Sequence, residues 1–194
     1  VPKIKLAGLS PQSIEFMERD IVDSSANYTG NKIIPTVIDG KEAGAYILVT
    51  LDGNDQDEIF QRAETLAEIG DEIGAYDTLV LSHPADKRAV WEARSAFLTV
   101  IEAETDLIDE MDVVVPVDKI PTFLEYAHEI GDKYEVRIRS FGHAGDGNLH
   151  IYCCANDMDE AVFLERSAKV MKAAYEKCTE LRGQVSGEHG IGHA

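Results

Sequence analysis

The chain has 194 residues, 44% of them hydrophobic and 28% charged, with a formal net charge of −18. That length and apolar content can bury a sizeable core. So acidic a surface excludes a nucleic-acid groove and an anionic membrane face, both of which recruit clustered Lys and Arg.

No apolar run nears the ~20 residues of a membrane-spanning helix, and no secretory leader pattern is present. The acid concentrates in 52–72 and 102–112 and reads either as solvated helix faces or as a docking face for a basic partner. Cys153, Cys154 and Cys178 form no CxxC, which fits a reducing cytoplasm better than a disulfide framework. Because the chain opens on Val1 and closes on a Gly/His-rich run, it reads as a fragment, without internal linker or repeat.

In chain order, Ser10-Pro11 and the spacing of Ile14, Met17, Ile21 and Val22 predict a helix over 11–27. An apolar, β-branched run makes 46–51 a strand. A helix over about 55–73 carries Ile59, Phe60, Ala63, Leu66, Ala67 and Ile69 on one stripe. Residues 78–82 read as a second strand, and a helix from Pro84 carries Trp91 and Arg94 to near Glu104. Strand 113–117, helix 118–132, strands 136–143 and 148–154, and a long helix over about 158–181 complete the pattern. Strands in adjacent and helix-separated pairs predict an α+β fold, a largely antiparallel sheet with helices mainly on one face.

The stretch 142-GHAGDGNLHIY-152 sets two histidines around Gly-Asp-Gly. Asp-Gly is a strong signal for a two-residue type I′ hairpin turn, with positive φ at both positions. Asp146-Gly147 at those positions would place His143 directly opposite His150, with Cβ atoms ~5 Å apart on one face. Ile138, Leu149, Ile151 and Cys153 would face the core, and Arg139, Phe141, His143, His150 and Tyr152 would floor a site. Either two histidines decorate an exposed hairpin or they bind one cation that needs a third ligand.

In 186-SGEHGIGHA-194, His189 and His193 have the spacing of a helical metal pair, but Gly190 and Gly192 disfavour a helix by ~1 kcal/mol each. A loop is expected instead, in which Glu188 and His189 can point different ways. The alternative is a glycine-rich tail with incidental charges.

Together, 143-HAGDGNLH-150, 187-GEHGIG-192, 91-WEAR-94 and 112-DVVVP-116 resemble, in order, the signature segments of the C-terminal domain of FAD-linked oxidases. This family includes the flavin subunit of glycolate oxidase, D-lactate dehydrogenase and D-2-hydroxyglutarate dehydrogenase, within the vanillyl-alcohol-oxidase superfamily. The resemblance covers nearly the whole chain and implies a ferredoxin-like cap domain that binds substrate and metal. The FAD-binding domain and a final helix would lie outside this sequence.

It further implies that His143, His150 and Glu188 hold a divalent metal (Zn, Fe or Mn), that His189 is the base near the flavin, and that Arg94 pairs with the substrate carboxylate. Hydroxyglutarate enzymes of the family carry a lysine where Glu110 stands here. An acid there would repel a second carboxylate, favouring D-lactate or glycolate as the 2-hydroxyacid. An electron-transfer flavoprotein, an iron–sulfur subunit or a quinone would take the electrons. The competing functional expectation is a free-standing metal-dependent hydrolase built on the same His/His/Glu ligands.

Overall fold

A computed structural model describes residues 1–190 and divides the chain into two compact units, one running to Val100 and the other beginning at Ile101. The first opens with helix α1 (Pro2–Leu6), strand β1 (Ser13–Glu18) and helix α2 (Arg19–Thr29). Short strands β2 (Val37–Ile38) and β3 (Lys41–Glu42) form a hairpin, and β4 (Ala45–Thr50) follows. Helices α3 (Gln56–Glu72) and α4 (Pro84–Ser95) complete this unit, and α5 (Phe97–Glu104) carries the chain onward.

The helix expected over 11–27 is corrected: its first half is β1, paired antiparallel with β4 from Ser13↔Thr50 to Glu18↔Ala45. Ile14 and Met17 take helical spacing with Ile21 and Val22 only because strand and helix meet at Glu18–Arg19 without an intervening loop. The strand expected at 78–82 does not form; Leu79 and Val80 are exposed and extend without a ladder partner among the described residues. The single helix expected from Pro84 to Glu104 is broken at Ala96 into α4 and α5. Within this unit Arg94 of α4 donates from Nη2 to Glu15 Oε2 of β1 at 2.9 Å, and both side chains are almost fully buried.

The second unit contains β5 (Leu107–Val114), α6 (Ile120–Lys133), β6 (Arg137–His143), β7 (Asn148–Ala155) and α7 (Glu160–Glu180). Strand β7 lies between β6 and β5, antiparallel to both. Helices α6 and α7 pack against each other and on one sheet face, where Ser167 of α7 donates to Asp109 at 3.0 Å. Met111, Val113, Ile138, Leu149, Ile151 and Cys153 on that face are all buried. Antiparallel pairing in both units and helices gathered on one sheet face agree with the expected α+β class.

Strand β5 begins six residues earlier than expected, so Asp112 lies well inside it rather than at its start. Acidic residues disfavour strands, but here each has a donor: Ser167 for Asp109, Tyr152 for Glu110 and Asn148 for Asp112.

The hairpin joining β6 and β7 also departs from expectation. Asp39-Gly40, between β2 and β3, has positive φ at both residues and closes the two-residue turn that Asp-Gly favours. Asp146-Gly147 does not: only Gly147 has positive φ, the loop spans four residues, and Asp146 N–H donates to His143 O at 3.0 Å. Phe141, not His143, therefore sits directly opposite His150, and His143 pairs with Asn148. The pairing has moved by two positions, which keeps both histidines on the same face.

Gly147 is fixed twice over. Its φ is 82°, and a Cβ there would stand 2.0 Å from the Val115 carbonyl oxygen, close beside the point where Val115 N–H donates to Gly147 O. Gly147→Ala is expected to destabilise the protein by about 2 kcal/mol or more, read as a lower urea midpoint at unchanged slope.

Candidate metal centre

The sheet face away from α6 and α7 carries Arg139, Phe141, His143, His150 and Tyr152, together with Glu110 and Asp112 of β5. It is not the open floor that its polarity predicts. Arg139, Phe141, His150 and Tyr152 are buried, and the Arg139 guanidinium, wholly enclosed, donates to Glu104 Oε2 at 3.0 Å. Phe141 stacks on Tyr152 with centroids 5.5 Å apart and tilts against His150 at 5.4 Å. These rings fix the His150 imidazole, whereas His143, at the strand end, keeps 40% of its side chain exposed.

Beyond α7 the chain returns to β5. Gln184 and Val114 exchange backbone hydrogen bonds at 2.7 and 2.9 Å, and Gly187 N–H donates to Asp112 O. The buried Asp112 carboxylate then gathers the loop: its Oδ2 accepts from the N–H groups of Gly187, Glu188 and His189 at 3.0, 2.6 and 2.7 Å. Its Oδ1 accepts from Asn148 Nδ2. Burial by itself would raise this carboxyl, but the N–H groups of His189 and Glu188 and the Asn148 amide outweigh it and hold the group below the usual carboxylate range. Only glycine fits at 187, where a Cβ would lie 2.0 Å from Asn148 Nδ2.

Three consecutive N–H groups turned to one carboxylate leave the Glu188 and His189 side chains at the histidine pair. Glu188 Oε1 lies 3.6 Å from His143 Nε2 and 3.5 Å from His150 Nε2. Two donors bound at ~2.1 Å to one tetrahedral cation stand ~3.4 Å apart, so these separations match the edges of such a site. The ligand atoms of the three residues all lie within 4.8 Å of one another. The buried His150 Nδ1 has no hydrogen-bond partner. Burial first, then His143 and His189 nearby, keep the His150 pKa below its ordinary value, so the ring is neutral near pH 7 as a ligand must be. Two imidazoles and a carboxylate fit a borderline divalent cation.

His189 stacks on His150 with centroids 5.1 Å apart; its Nε2 lies 3.8 Å from Glu188 Oε1 and its Nδ1 3.5 Å from Glu110 Oε1, so Glu110, His150 and His189 form a second group with ligand atoms within 4.8 Å of one another. Arg94 belongs to the first unit, paired with Glu15. The His189–His193 spacing extends beyond the described residues. Sequence reading missed Asp112 as the clamp of the 187–189 loop, since its partners are far along the chain and no local pattern announces them.

Asp112→Ala removes the side-chain acceptor of three loop N–H groups, of which Gly187 keeps the Asp112 carbonyl. A stability loss of about 2 kcal/mol is expected, with faster amide exchange at Glu188 and His189. Unchanged exchange there would refute the clamp.

The family model for the C-terminal domain of FAD linked oxidases matches residues 1–194. D-lactate dehydrogenase of Anaerostipes hadrus is 46% identical over 193 residues, covering 100% of this chain and 41% of that protein. The glycolate oxidase subunit GlcD of Bacillus subtilis is 29% identical, with 99% of this chain and 39% of that protein covered. D-2-hydroxyglutarate dehydrogenase of Stutzerimonas stutzeri is also 29% identical, over 76% of this chain and 32% of that protein. The chain thus spans about two-fifths or less of the length of these curated relatives. A match over all 194 residues shows that the chain belongs to the FAD-linked oxidases, as the C-terminal domain of that family.

Proposed function

We propose that this chain is the substrate- and metal-binding part of an FAD-dependent D-2-hydroxyacid dehydrogenase that oxidises D-lactate or glycolate to the 2-oxoacid. The observation that carries the reading is the Glu188 carboxylate set between His143 Nε2 and His150 Nε2, in a chain 46% identical to a D-lactate dehydrogenase.

His143, His150 and Glu188 hold the divalent cation, zinc ranking ahead of iron and manganese for this donor set. When bound, the cation would supply Lewis-acid polarisation of the substrate α-hydroxyl, and FAD would supply the acceptor for the C2 hydride. His189, stacked on His150 beside the ligand trio, takes the hydroxyl proton as the base, a role imidazoles commonly fill. Arg94 binds the substrate carboxylate through its guanidinium, whose planar fork suits a carboxylate. The charge of Glu110, 3.5 Å from His189 and 3.7 Å from His150, disfavours a second substrate carboxylate and so supports a monocarboxylate.

No helix among the described residues is long and apolar enough to cross a membrane. The three cysteines are buried and free, and burial pushes the Cys153 thiol up to about 12, which is consistent with a reducing cytoplasm. Electrons pass on to an acceptor protein, either an electron-transfer flavoprotein or an iron–sulfur subunit.

In the full-length flavoprotein, His143→Ala and Glu188→Ala are expected to lose the cation by elemental analysis and to abolish flavin bleaching by D-lactate and glycolate. A His143→Ala protein that retained both metal and bleaching would refute the reading. His189→Ala should keep the metal while kcat falls ~10²–10⁴-fold. Arg94→Ala should raise KM and also break the buried ion pair with Glu15, lowering stability by about 3 kcal/mol, a loss that thermal unfolding of the substrate-free protein would register.

A further inference from the structure

A cation drawn to His150 Nε2 leaves the proton of that ring on Nδ1, which then needs an acceptor; histidine ligands almost always give this second N–H to a carboxylate, a carbonyl or water. Two carboxylates lie near His150 Nδ1, Glu110 Oε1 at 3.7 Å and Asp112 Oδ1 at 4.0 Å. Asp112 is committed, with Oδ2 filled by three backbone N–H groups and Oδ1 held by Asn148. Glu110 is anchored but not saturated. Its Oε1 accepts from Tyr152 Oη at 2.9 Å, and with about two acceptor positions on each oxygen the carboxylate can take two more donors if Oε2 turns to share them.

The same Glu110 oxygen is 3.5 Å from His189 Nδ1, on the imidazole that stacks over His150. One carboxylate therefore faces the Nδ1 atoms of both rings. The His150 Nδ1, buried and without a hydrogen-bond partner, is the donor aimed at it.

Resting on the metal and base assignments above, we infer that Glu110, steadied by Tyr152, is a positioning residue that accepts from the Nδ1–H of both His150 and His189. It fixes the tautomer in which the Nε2 of His150 is free for the cation and the Nε2 of His189 is free for the substrate proton. At 3.5 and 3.7 Å the two contacts are longer than hydrogen bonds. Shifts of well under 1 Å in the Glu110 and imidazole side chains close them.

The test compares wild type, Glu110→Gln, which keeps a neutral acceptor, and Glu110→Ala, which has none, in the full-length protein. Zinc affinity is measured by competition with a chromophoric chelator, and the tautomers of His150 and His189 by long-range ¹H–¹⁵N correlation in the metal-free protein. Glu110→Ala is expected to bind zinc ~10–100-fold more weakly, to lose the Nδ1–H signature at both rings, and to show reduced kcat with little change in KM. Glu110→Gln should fall between the two.

Unchanged zinc affinity and tautomers in Glu110→Ala would overturn the inference, as would a change confined to KM, which would leave Glu110 as a charge that screens substrates. Two zinc ions per chain in wild type and one in Glu110→Ala would also overturn it, making Glu110, His150 and His189 a second cation site. Failure of the metal assignment itself appears separately, as a His143→Ala protein that still holds its metal.

Discussion

The Asp112 carboxylate is the constraint on which the site depends. A glycine-rich segment such as 187–190 has no intrinsic preference for one conformation, yet Glu188 and His189 can act together only if their backbone is held. Three successive N–H groups converging on one buried carboxylate provide that hold, and Asn148, the first residue of β7, grips the same carboxylate from the hairpin side. Strand β5 thereby joins the hairpin that carries the histidines to the loop that carries the glutamate. Charge-assisted hydrogen bonds to backbone N–H groups are among the stronger polar contacts available, and burial shields these from competing water.

Much of this was legible in the sequence, and the exceptions are instructive. The shared face of His143 and His150 survived an incorrect turn because side chains alternate with period two, and the observed pairing differs by two positions. What failed was the turn type. Asp39-Gly40 adopts the two-residue form and Asp146-Gly147 does not, because the Gly147 carbonyl is engaged by Val115. That tertiary contact cannot be seen in four residues. Strand β1 was hidden for a related reason: a strand running directly into a helix places Ile14, Met17, Ile21 and Val22 at spacings that mimic one continuous amphipathic helix.

The acidic composition misled in another way. Carboxylates at 109, 110 and 112 look like a solvated run, and they concealed the first six residues of β5. In the structure they alternate across the strand: Asp109 reaches the helix face and Ser167, while Glu110 and Asp112 reach the opposite face. A charge run gains a different meaning when every member has a donor, since buried carboxylates persist only when hydrogen-bonded or paired. Arg94 and Glu15 show the same rule, as does Arg139 with Glu104.

The side chains of His143, His150 and Glu188 differ sharply in their access to water. The His150 side chain is 6% exposed, against 40% for His143 and 54% for Glu188. Ring packing has already restricted the His150 imidazole, so it gives up little rotamer freedom on ligation, whereas the more exposed Glu188 and His143 have more to lose. An ion held by this trio would therefore exchange through one door. Glu188 and His143 would release first and rebind first, and His150 would be the fixed post, so that speed of exchange and depth of affinity are governed by different residues.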